Sequence, residues 1–198
     1  MININNKRFN KKDIIEWAVF LIVLLTVWSH VNVVVSNSMY PIMERGDFVI
    51  VENANWEFNP NNVQVGDIVV YKAHWPKYKE NYMDYMVKIN NKTLIVFSGN
   101  KVEPVIHRVI EKVKINNSNY IITKGDNNPT YDPELISTNQ IKQRVVTING
   151  KPLVIPHVGY ISILLKEYVW LVILLIVLWY VYDYLKKGKK EKEDLSKK

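Results

Sequence analysis

The chain has 198 residues, room for one domain of ordinary size, and carries 26 Lys and Arg against 19 Asp and Glu, a net charge of +7. The excess is uneven: residues 1–13 and 183–198 each carry +3, and the long middle only +1. A nucleic-acid binder needs its basic face on the folded domain, so that class is set aside, and the absence of cysteine excludes disulfides, Cys-ligated zinc and a thiol nucleophile.

Residues 1–13 read as a polar, Asn-rich, basic tail. From Ile14 to Val35 the chain is mostly apolar. Its uninterrupted part is about twelve residues, short of the ~20 that cross a bilayer. With Ser29, His30 and Asn32 at the outer interface, the whole run 14–35 still predicts a transmembrane helix. A cleaved signal peptide has the same outline, but no small-x-small site follows the run. Next come Ser36-Asn37-Ser38-Met39-Tyr40-Pro41 and the turn Glu44-Arg45-Gly46-Asp47. Three residues of extended chain cover at most ~10 Å. A helix ending at Val35 would therefore hold Ser38 at the bilayer surface.

The middle, 36–160, reads as β-rich. Phe48–Val51, Ile68–Tyr71, Leu94–Phe97, Val105–Val113, Tyr120–Thr123 and Val145–Ile148 are strand-like, and Gly-Asp, Asn-Pro, Asn-Asn and Asn-Gly pairs punctuate them. Gly46-Asp47 and Gly66-Asp67 lead into similar apolar runs, as if two strands were entered by the same turn chemistry. Residues 73–88 form an aromatic insertion without a clean period: either a loop on the membrane interface or a packed flap. The second apolar run, Tyr168 to Tyr182, has no charge and carries Trp170 and Trp179 near its ends, as an aromatic belt would. It predicts a transmembrane helix over 161–185, with a Lys-rich tail at 186–198. Basic tails at both outer ends put both termini in the cytoplasm and residues 36–160 on the other side.

A serine becomes a useful nucleophile when a base takes its proton and a third group orients the base. Ser38 is the candidate nucleophile. Of the four histidines, His107 lies in the strand-like run Pro104–Ile110. Asp126 and Asp132 follow the next strand, in and beyond Thr123-Lys124-Gly125-Asp126-Asn127-Asn128. Either carboxylate could orient an imidazole, and Asp126 could instead close its own turn.

Taken together, Ser-Asn-Ser-Met-Tyr-Pro, Gly-Asp with a strand, His-Arg-Val-Ile, Lys-Gly-Asp-Asn-Asn and Ile155-Pro156-His157-Val158-Gly159-Tyr160 closely resemble the type I signal peptidases, in their archaeal and endoplasmic-reticulum branch. The resemblance covers roughly residues 14–180. It implies a mainly β catalytic domain of the signal-peptidase type, flanked by an N-terminal and a C-terminal transmembrane helix. It assigns Ser38 as nucleophile and His107 as base, where bacterial relatives carry lysine. Asp126 and Asp132 match the branch's two acids, Asp132 being the expected partner of His107. Ser36 and the Ser38 N–H match the oxyanion donors of the bacterial relatives. No cofactor is implied.

The implied activity is a membrane-bound serine endopeptidase that removes signal peptides from preproteins after small-x-small sites. Its partners would be signal peptides and the lipid membrane, with the protein translocation channel as a further candidate and no nucleic acid. The location would be the cell membrane, multi-pass, or the endoplasmic reticulum membrane in a eukaryote. Two other readings compete. One is a Ser-Lys enzyme using Lys88, Lys101 or Lys112. The other is an inactive membrane-anchored β module that binds a partner and needs neither Ser38 nor His107.

Overall fold

A computed structural model describes residues 10–196, so most of the basic N-terminal tail and the last two residues lie outside it. The chain divides into two units, one ending at Gly159 and one starting at Tyr160.

The first unit opens with helix α1, Lys11–Ser29, entered through a capping box between Asn10 and Asp13. It buries none of its residues, and apolar side chains lie on every face. The helix stops six residues short of the expected end. Val31–Val33 form strand β1, paired antiparallel with β2 (Phe48–Asn53), and Val34 is buried in the domain core. Val31–Val33 thus belong to the sheet, and Ser38 lies nine residues from the helix end rather than three. The join is one residue, His30. Its Nδ1 is 2.7 Å from the Thr26 carbonyl and its Nε2 2.8 Å from Glu57 Oε1. Acceptors at both ring nitrogens, the carbonyl first and the carboxylate second, raise its pKa above the ordinary value.

The remaining strands are β3 (Ile68–Ala73), β4 (Tyr82–Ile89), β5 (Lys92–Ser98), β6 (Glu103–Ile115), β7 (Ser118–Lys124), β8 (Ile136–Ser137), β9 (Ile141–Val145), β10 (Thr147–Ile148), β11 (Lys151–Pro152) and β12 (Val154–Ile155). The main sheet runs β1-β2-β9-β3-β6-β7-β8, with β12 also paired to β2. The pairs within it are antiparallel. Three hairpins turn on left-handed pairs: Asn90-Asn91, Asn116-Asn117 and Asn149-Gly150 all have positive φ. Asparagine and glycine tolerate that conformation, which matches the twist of the strands it joins. The two Gly-Asp turns are built alike. Gly46 and Gly66 have φ of 94° and 98°, and the Asp47 and Asp67 carboxylates accept the backbone N–H of Glu44 and Gln64.

One expectation about the strands needs correction. The run Val145–Ile148 is not one strand, because the chain turns at Val146 from β9 into the separate β10–β11 ribbon. The insertion 73–88 is a 3-10 segment, Trp75–Glu80, followed by most of β4, which pairs with β5 in a two-stranded sheet of its own. One face of that ribbon, with Leu94 fully buried in it, packs on Ile122 and Leu135. Tyr82, Met83, Tyr85 and Met86, in the first half of β4, are exposed.

The second unit is helix α2, Tyr160–Ser196, whose regular geometry breaks at Tyr168. It runs through residues expected in the Lys-rich tail. Among the described residues no single helix is long and apolar enough to cross a membrane. The limbs Tyr160–Leu171 and Ile173–Asp183, bent by 48°, meet that requirement only as a pair.

Candidate active site

Strand register sets up the site. Directly opposed residues on neighbouring strands share a face, and so do residues two apart on one strand. On β6, His107 faces Val69 of β3, and Val109 faces Thr123 of β7. Tyr71 of β3 opposes Val105. Tyr71, His107 and Thr123 therefore stand on one face of three adjacent strands, each within diagonal reach of the next. Arg108, between His107 and Val109, turns to the opposite face.

The serine is brought in by a loop pinned at its base and its tip. At the base, the Val34 N–H donates to Asp47 and the Gly46 N–H to Val34. Met39 and Met43 are fully buried with Val34, Val49, Val51, Ile68 and Val145. Each such side chain contributes about 1.5–3 kcal/mol. At the tip, the Ser38 carbonyl accepts the Asn127 N–H at 2.8 Å, and the Asn37 carbonyl accepts Asn127 Nδ2 at 3.1 Å. This approach leaves no room at Gly125, where a Cβ would lie 2.7 Å from the Ser38 carbonyl oxygen.

Ser38 Oγ is 3.0 Å from His107 Nε2, and His107 Nδ1 is 2.7 Å from Asp132 Oδ2. With the ring proton on Nδ1, His107 donates to Asp132 and presents the Nε2 lone pair to the Ser38 hydroxyl. Both His107 and Asp132 are 3% exposed. Asp132 is not left to the histidine alone. Its Oδ2 also accepts the Tyr71 hydroxyl at 2.8 Å and the Thr123 hydroxyl at 2.6 Å, and its backbone N–H donates to the Thr123 carbonyl. Burial, and then the charge of Asp132, push the Tyr71 phenol well above its ordinary pKa, so it stays a donor. Three donors on one buried carboxylate oxygen offset the cost of keeping it charged out of water.

Ser36 is exposed, with its Oγ 3.1 Å from Ser38 Oγ. Asp126 goes elsewhere. Its two oxygens accept Nε and Nη2 of Arg108 at 2.8 and 2.7 Å, while Arg108 Nη1 reaches the Gly66 carbonyl. The fork to Asp126 raises the Arg108 pKa. The Asp126 side chain thus ties its loop to β6 rather than closing its own turn. The lysines considered as alternative bases, Lys88, Lys101 and Lys112, are all exposed rather than buried beside Ser38. Sequence reasoning missed Tyr71, Thr123, Asn127 and Arg108. Arg108 adjoins His107 in the sequence, and its place on the alternate face of the strand is the signal that could have marked it as a partner for Asp126.

A hydroxyl, an imidazole and a buried carboxylate bonded in this order form the constellation of serine hydrolases, in which the base takes the hydroxyl proton as the oxygen attacks an acyl carbon. Residues 10–132 match the family described as signal peptidase, peptidase S26. The chain belongs to that family, as a type I signal peptidase of the archaeal and endoplasmic-reticulum branch. It is 54% identical to an uncharacterized protein of Methanocaldococcus jannaschii, over 86% of this chain and 100% of that one. It is 30% identical to the signal peptidase complex catalytic subunit SEC11 of Colletotrichum graminicola, over 84% and 87% of the two chains. With the SEC11 of Verticillium alfalfae the identity is 32%, over 72% and 67%.

Proposed function

We propose that this chain is a membrane-bound serine endopeptidase that removes N-terminal signal peptides from secreted and membrane preproteins, cutting after small-x-small sites. The observation that carries the reading is the continuous hydrogen-bonded path from Ser38 through His107 to Asp132, in a chain of the signal peptidase family. Ser38 Oγ attacks the scissile carbonyl carbon while its proton passes to His107 Nε2. The carbonyl electron pair becomes an oxyanion held by the Ser38 N–H and the Ser36 hydroxyl, each donor worth about 3 kcal/mol. The C–N bond then breaks, the leaving amine takes the proton from Nε2, and the acyl group stays on Ser38. Water, losing a proton to the same Nε2, attacks the acyl carbon and releases Ser38 with its hydroxyl restored. Asp132 keeps the ring proton on Nδ1 and stabilises the imidazolium.

The direct test is cleavage of a membrane-embedded preprotein by the purified protein in lipid vesicles. Wild type should release a product whose new N-terminus follows a small-x-small site. Leucine at the first and third positions before the cut should block it. No cleavage by wild type, or indifference to those leucines, overturns the reading.

Both helices serve as membrane anchors in this proposal, with the termini in the cytoplasm and residues 36–160 outside. The unburied apolar surface of α1 and the aromatic ends of the apolar stretch in α2 support it. Signal peptides and the bilayer are then the partners, with the translocation channel as the source of substrate, and the cell membrane or the endoplasmic reticulum membrane is the location. Protease added to sealed inside-out vesicles should trim the Lys-rich C-terminus and spare the β domain. Cleavage within the β domain, or protection of the tail, refutes this arrangement.

A further inference from the structure

Two residues beyond Asp132 lies a second buried acid that the proposed chemistry does not use. Glu134 is 1% exposed. Its Oε2 accepts the backbone N–H groups of His74 and Trp75 at 2.7 and 3.1 Å. Its Oε1 is 2.7 Å from His74 Nδ1 and accepts Gln140 Nε2 at 2.8 Å. Every one of these partners except Gln140 sits just past the C-terminal end of β3, the strand that carries Tyr71. The Trp75 indole N–H lies beside the Tyr71 hydroxyl and makes no hydrogen bond of ordinary geometry.

The segment Asp132-Pro133-Glu134 is therefore fastened at two points, to β3 and to the residues that directly follow it. Asp132 takes the Tyr71 hydroxyl; Glu134 takes the main chain three and four residues further on. Between them stands a proline, whose fixed φ leaves little freedom to absorb a shift. On the other flank, the Ile95 N–H donates to the Pro133 carbonyl and the Leu135 N–H to the Ile95 carbonyl, so β5 holds the same segment.

We infer that Glu134 is a positioning residue for the reaction. It acts through Pro133 to hold the Asp132 carboxylate in line with His107 Nδ1, and it makes the junction of β3 with the 75–80 segment part of the active-site frame. The inference rests on the proposed serine chemistry for its kinetic readout but not for its spectroscopic one. An acid serving only to tie a loop would affect stability and leave both untouched. A misplacement near 1 Å at a catalytic group costs on the order of 10- to 100-fold in rate.

The test compares Glu134→Gln with a matched control, Thr138→Val, in the full chain in detergent or lipid. Thr138 is likewise buried and loses a side-chain hydrogen bond, to Asn61, outside the path to Asp132. With four histidines in the chain, the ¹⁵N-labelled imidazole spectrum can be assigned by single substitution. Glu134→Gln should shift or broaden the His107 Nδ1–H resonance and lower kcat 10- to 100-fold, with KM within about twofold. Thr138→Val should do neither, whatever it costs in thermal stability. A wild-type His107 resonance and wild-type kcat in Glu134→Gln would overturn the inference, as would equal effects in the control. If wild type cleaves nothing but Glu134→Gln still displaces the His107 resonance, the positioning role stands and the proposed reaction falls. A wild type that cleaves nothing and an unmoved resonance would sink both.

Discussion

Ser38→Ala and His107→Ala should each abolish preprotein processing, with losses on the order of 10⁶ in single-turnover rate, while the protein stays folded and membrane-bound. Ser38→Ala opens no large cavity. Ser38 is half-buried at a loop tip whose anchors are Met39, Met43 and the main chain, and the alanine keeps those. His107→Lys is the sharper comparison, because lysine is the base in bacterial relatives. Its ammonium would point at Asp132, and a buried carboxylate beside it favours the charged form, which cannot accept a proton. Little activity is expected. Substantial activity in His107→Ala would move the base elsewhere and end the Ser-His-Asp assignment.

Asp132→Asn should lose on the order of 10⁴ in rate at nearly unchanged stability, and Asp126→Asn should remain partly active. The first substitution keeps the size of the group but leaves an amide facing a ring nitrogen and two hydroxyls that all donate in the native site. The imidazole then settles in the wrong tautomer, the origin of the 10⁴ loss in serine peptidases with this triad. The second breaks a two-pronged contact with Arg108 that is partly open to solvent, with the two side chains 31% and 22% exposed. Its cost should be about 0.5–1 kcal/mol of stability and a modest fraction of the rate. Single-turnover cleavage and thermal melts of both variants decide it. A dead Asp126→Asn beside a fully active Asp132→Asn would reverse the roles. Normal cleavage by both would leave neither as the orienting acid.

Much of this was legible because it is local. The serine motif, the histidine strand and the two acids each occupy a few consecutive residues, and the asparagine turns carry their backbone preference in their own side chains. What escaped was set by pairing between distant segments. Nothing near Tyr71 or Thr123 in the sequence marks them as donors to Asp132; the register of β3 and β7 against β6 does that. Val31–Val33 follow the helix without a break in hydropathy, and an apolar run cannot say where helix passes to strand until Phe48–Ile50 arrive to pair with it. Ile-Lys-Gln-Arg-Val of β9 is too polar to read as a central strand, yet it lies between β2 and β3. There Arg144 lies over the Phe58 ring and pairs with Glu52.

The short join between α1 and β1 has a mechanical consequence. Flexible tethers let a domain spin and tip on its anchor, but here one residue separates helix from strand, and both nitrogens of its ring are engaged. Turning the domain about the helix axis would tear β1 from β2 or His30 from Glu57. The chain has no swivel at this point. In the proposed reaction, Ser38 keeps a constant azimuth around α1, and an extended substrate can reach it only along one bearing. Glycines inserted between Ser29 and Val31 would add the missing bearing freedom while leaving every catalytic group in place.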